Sequence, residues 1–255
     1  MEFTCRVGLL SAIVLWPLAN HAAEPEPGEV ARQLRIQGFD PTKSPAVCIG
    51  RDSRPVYRVS GDITRPVITL KTTPNPGHRT ALRGRRFHYS SVDHGEFGGT
   101  LFVREGDGPQ RSLMQTNVVD LVPAGKNLLV FAGLAHVSMS SGDIWVVEAY
   151  DSAPKLRFLT QLPEKPDVIA EDPETHRIAI VSEFSVSELW GDFYSVLTTR
   201  HHRFPHASSA VVSRPNILIG ICGGVALLEF PWRRNLPPAL DGSDQITIVT
   251  YWTRR

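Results

Sequence analysis

The sequence predicts an all-β chain: a small β-propeller-like domain of four or five blades behind a signal peptide, with a β-sandwich as the alternative architecture. Three observations lead there. From Ser44 onward, short runs rich in Val, Ile, Leu, Phe and Tyr alternate with clusters of Gly, Pro, Asp, Asn and Ser, the texture of strands and turns. No long stretch keeps a helical period. Three hairpin-like units recur at spacings that suit a four-stranded blade.

The N-terminus comes first. Residues 1–22 read as a signal peptide: one arginine, Arg6, then an apolar run from Val7 to Leu18, then Ala19-Asn20-His21-Ala22 at the cleavage end. The run fits a signal core and is too short for a membrane anchor, which needs roughly 20 apolar residues. A buried N-terminal helix is the competing account. Residues 23–43 read as a leader segment, punctuated by Pro25, Pro27, Gly28 and Pro41, in which only Glu29 to Ile36 suits a short helix. The domain proper is expected over 44–255, in a periplasmic or secreted protein. No later segment suits a stable membrane span. With 27 Lys and Arg against 26 Asp and Glu, no basic excess marks a nucleic-acid partner.

The strands follow in order. Gly99–Arg104 and Gln110–Gln115 flank the turn at Gly106-Asp107-Gly108. Asn117–Val122 runs through Pro123–Lys126 into Asn127–Gly133. Asp143–Tyr150 and Leu156–Leu162 flank Asp151–Pro154, and Asp167–Ala170 and Arg177–Ser182 flank Asp172–Thr175. Tyr194–Thr198, Ala207–Ser213, Ile217–Cys222, Gly224–Phe230 and Gln245–Trp252 complete the series.

The hairpins beginning at Val119, Val168 and Ala210 each join an apolar strand, a polar turn and a second apolar strand. Residues 80–116 supply a further blade, and strands within 44–72 are expected to complete the ring beside the last one. Cys48 and Cys222 then fall where such a closure places a disulfide, which an oxidising compartment favours. Two buried free thiols are the alternative, since both cysteines sit in apolar sequence.

Three glycine-rich motifs, Gly95-Glu96-Phe97-Gly98-Gly99, Gly133-Leu134-Ala135-His136 and Gly220-Ile221-Cys222-Gly223-Gly224-Val225, resemble those of a group of bacterial exported, propeller-like proteins. In that group a Gly-Glu-Trp-Gly-Gly precedes a strand and a Gly-Leu-Ala-His follows one. The resemblance covers roughly residues 85–230. This chain departs at Phe97, where tryptophan is expected, and at Phe204–Ser208, where Tyr-Pro-Asn-Ser is usual. The resemblance implies a fold and no activity.

Linear catalytic motifs are missing: no nucleophile elbow, Cys-x-x-Cys, His-Glu-x-x-His, P-loop or EF-hand loop occurs. Sites assembled across strands remain. Asp93-His94-Gly95-Glu96, with His88 upstream, offers carboxylate and imidazole for a divalent metal or proton transfer, or a solvated turn. His136 ends a strand and is either a site residue or a hydrogen-bonded structural histidine. His201, His202 and His206 offer imidazoles on what reads as a solvated loop. Trp190 and Asp192 read as blade-edge packing. Arg83, Arg85 and Arg86 form a small basic patch that could meet an anion, or a solvated turn.

The candidate ligand or metal set is therefore His94, Glu96, His136 and His206, with a divalent metal as the conceivable cofactor and no catalytic residue assigned. The expected function is a non-catalytic binding or scaffold module for a protein, peptide or envelope glycan. A metal-dependent lactonase-like or other hydrolase with a channel site is the alternative, and a quinoprotein-like oxidoreductase is weaker because the chain is short for it.

Overall fold

Short apolar strands separated by turns pair with their neighbours in the chain and produce a series of small antiparallel sheets. The computed structural model describes residues 28–46, 48, 55–71, 80–136, 139–198, 202–213, 216–229 and 248–254. The expected signal peptide lies outside them.

A helix, α1 (Glu29–Ile36), opens the described chain. Val30 and Leu34, one turn apart, face inward, and Arg32 pairs with Glu29 at 2.7 Å on the outside. Next come β1 (Phe39–Thr42) and the hairpin β2 (Val56–Asp62) and β3 (Arg65–Lys71). A four-stranded meander follows: β4 (Ala81–Arg83), β5 (Phe87–Asp93), β6 (Gly99–Glu105) and β7 (Arg111–Met114). The second meander is β8 (Val118–Ala124), β9 (Asn127–His136), β10 (Met139–Glu148) and β11 (Lys155–Leu162). The third is β12 (Val168–Glu171), β13 (Ile178–Val181), β14 (Val186–Trp190) and β15 (Phe193–Thr198). The last sheet has five strands: β16 (Ser209–Ser213), β17 (Asn216–Ile221), β18 (Gly224–Glu229), β19 (Ile248–Arg254) and, paired with β19, the early strand β1.

The recurring hairpins of the sequence are β8–β9, β12–β13 and β16–β17, the first two strands of three successive sheets. Each sheet packs on the next. Phe87, Tyr89, Leu101 and Val103 of the first share a cluster with Leu121, Leu128 and Val130 of the second. Phe131, Ile144 and Val146 meet Ile178, Ile180 and Leu189. Val181, Val186 and Leu197 meet Val212, Ile217, Ile219 and Leu228. Central strands therefore bury both faces and read as unbroken apolar runs, as in β13 and β17, where every residue is buried.

Two expectations change at the seam between the chain's ends. The strand that enters the last sheet comes from the stretch read as a leader: β1 pairs with β19, and Val30, Leu34 and Phe39 enter a core with Leu218, Leu227 and Trp252. Strands within 44–72 were expected to fill that place. Instead β2 and β3 form a separate hairpin laid against the last sheet. Ser208 Oγ donates to the Tyr57 carbonyl at 2.5 Å, the Val59 N–H donates to Ser209 Oγ at 2.8 Å, and Val56 makes an isolated bridge to Cys222. A side chain at Gly220 would collide with the Tyr57 carbonyl, so glycine there permits the contact. Cys48 and Cys222 are disulfide-bonded across 174 positions.

Candidate functional site

The Asp93–Gly99 segment joins β5 to β6 through a single 3-10 turn, Gly95–Phe97. The Asp93 carboxylate accepts the Gly95 N–H at 2.6 Å, and the His94 N–H donates to the Gly98 carbonyl at 2.8 Å. Asn117, at the mouth of β8, is buried and donates through Nδ2 to the Gly95 carbonyl at 2.5 Å. Gly99 has to be glycine because a Cβ would run into the Val92 carbonyl and the Asn117 side chain.

The turn presents Glu96 to the end of β9, where its carboxylate meets His136 Nδ1. Both side chains stay nearly half exposed. Two of the four sequence candidates are thus brought together. His94 caps the same turn through its backbone. His206 sits apart, at φ 51° on the loop before β16, beside the Pro205 carbonyl that accepts the Cys222 N–H. Among the described residues, no three His, Cys, Asp or Glu side chains gather as ligands of one ion. His201 lies outside the described residues. Trp190 takes the Arg177 guanidinium over its ring at 4.5 Å, and Asp192 lies 3.5 Å from Arg157.

Large apolar side chains flank the Glu96–His136 contact. Phe97 follows Glu96 and is 86% exposed; Met139, opposite His136 in the β9–β10 ladder, is 71% exposed. Nothing in the linear sequence singles out Met139, which stands out only once the ladder places it across from His136.

His88, grouped in the sequence with His94, lies elsewhere. Six residues along β5 separate them, about 20 Å of extended chain. His88 faces Arg83 on one side and Arg104 on the other, at a cavity of about 650 Å3. A second cavity, of about 420 Å3, lies between β2, β16 and the turn after β12, and its lining includes Asp62 and Glu174.

Asp167, Asp151 and Tyr89 are among the ionisable groups displaced by their surroundings. Burial pushes the Asp167 carboxyl up to about 6, opposed by Lys165 and reinforced by Glu183 and Glu164. The Asp151 carboxylate is held below its ordinary range by the N–H groups of Arg86 and Phe87, with that of Arg85 adding to them. Burial raises the Tyr89 phenol, whose hydroxyl donates to the Tyr150 carbonyl at 2.5 Å.

No protein-family model and no curated protein matches the chain. Solved structures similar to it include the AtxE2 isopeptidase with Astexin3-dC4 bound, at 13% identity and a TM-score of 0.36 over 66% of this chain. Another is the N-terminal domain of Nup159, at 9% identity and a TM-score of 0.37 over 71% of this chain. The alignments span 27% and 46% of those two chains. Likeness at this level says nothing of activity. Among the described residues, no helix is long and apolar enough to cross a membrane.

Proposed function

We propose that this chain is an exported binding module on a small propeller-like scaffold of four or five blades, presenting the Phe97–Met139 end to a protein or peptide partner. The carrying observation is the exposure of these two large apolar side chains around a polar Glu96–His136 contact. Large apolar side chains left exposed together mark interaction surfaces. The scaffold reading draws on four sheets that follow one another in chain order and share cores pairwise, and on the pairing of β1 with β19. Export draws on the apolar run Val7–Leu18, on the disulfide and on the resemblance of the three glycine-rich motifs.

A photo-activatable residue at Phe97, in protein exported by a bacterial host, tests the docking role. Cross-links to one partner protein, lost when the probe is moved to Arg254, are the expected result. A Phe97 probe that captures nothing beyond what the Arg254 probe captures overturns it. The alternative of a metal-dependent hydrolase draws on the Glu96–His136 contact alone. A divalent ion retained in the native mass spectrum of the exported chain, and lost in E96A, would replace the binding reading with it.

A further inference from the structure

The first sheet has two unlike faces. Phe87, Tyr89, Leu101 and Val103 enter the core shared with the second sheet. Their alternating neighbours, His88, Ser90 and Arg104, point the other way. No core cluster covers that outer face among the described residues.

Arg83, His88 and Arg104 stand directly opposite one another on β4, β5 and β6. Directly opposed side chains have Cβ atoms about 5 Å apart, so Arg83 and Arg104 flank His88 on one face of the sheet. Among the described residues neither Arg83 nor Arg104 is in an ion pair. Nearby Arg86, by contrast, is held by Glu105 at 2.7 Å. The three basic side chains line the 650 Å3 cavity with Ser90 and Gln110, whose Nε2 donates to Ser90 Oγ at 3.4 Å. Asp107 is the acid in the lining. A cavity of this size suits a small ligand, and two forked guanidiniums suit the oxygens of a tetrahedral anion.

We infer that the outer face of β4–β6 is a binding site for a phosphate or sulfate group, free or carried on a small molecule such as a phosphorylated sugar, held between Arg83 and Arg104 with His88 beneath it. The sequence patch of Arg83, Arg85 and Arg86 contains one of these residues; the strand register supplies the others.

Inorganic phosphate is titrated into the oxidised chain at low salt by calorimetry and by two-dimensional NMR. Saturable binding at about 1 mM or tighter is expected, with resonance shifts at His88 and Ser90. Affinity should drop at least about tenfold in R83Q and in R104Q, and stay unchanged in R254Q. Glucose 6-phosphate then separates the sources: binding tighter than inorganic phosphate assigns a carried group, and equal binding a free one. Equal affinity of wild type and the R83Q/R104Q double variant overturns the site, as does wild-type protein whose His88 and Ser90 resonances do not move. The wild-type NMR titration decides the matter even if the variants do not fold. None of these outcomes depends on the Phe97–Met139 patch.

Discussion

Arg177 donates through Nη1 to the Glu188 carboxylate at 3.3 Å, with the two side chains only 8% and 6% exposed. Arg177 immediately precedes β13 and Glu188 lies on β14, and the Arg177 guanidinium also covers the Trp190 ring. Removing one member takes this ion pair from a buried charge, which costs about 3–5 kcal/mol. E188A is expected to lose that much in urea unfolding. The R177M/E188L double variant should recover most of it, because two apolar side chains leave no charge to desolvate.

Asp167 predicts a pH dependence. Its folded-state value of about 6 stands above the ordinary carboxyl value of 3.8, so the native state holds a proton more tightly than the unfolded chain does. Its contribution to stability is therefore present below about pH 4 and is lost as pH rises to about 6. D167N removes that loss. Chemical unfolding at pH 8 should show a gain of at most about 3 kcal/mol, shrinking to nothing near pH 3.5. A gain equal at both pH values would refute the assignment.

The Cys48–Cys222 bond ties the segment ahead of the hairpin to the last sheet. Its removal in C48S/C222S should lower unfolding free energy by about 2–5 kcal/mol. A reductant should destabilise the wild type equally and leave the double variant unaffected.

The hairpin β2–β3 is docked through Ser208 and the space left by Gly220. G220A forces strands apart at the Tyr57 carbonyl and is expected to cost about 1–3 kcal/mol. Hydrogen exchange locates the damage: the Val59 amide, bonded to Ser209 Oγ, should lose protection while amides of β9 and β10 keep theirs.

Legibility in the sequence followed the burial pattern. Strands such as β9 and β17 were plain because apolar runs leave no other reading. β14 is not legible in the sequence, because Ser187 and Glu188 are polar yet buried and break the apolar run that marks a central strand. The sequence suits a short helix at Glu29–Ile36, but it does not reveal the part that helix plays in the core. Val30 and Leu34 need Leu218 and Trp252 from the far end of the chain to become a core.

The sequence by itself determined the local properties: strand against turn, the three recurring hairpins, and the segments that carry histidine and carboxylate. Period-two alternation and turn chemistry act between near neighbours, so they are written in the order of residues. Tertiary structure alone decided which distant groups meet. Glu96 reaches His136, His94 and His206 go to different loops, and Arg83, His88 and Arg104 form a row. Those meetings depend on strand register and on how sheets stack, and a shift of one residue would turn each side chain to the opposite face.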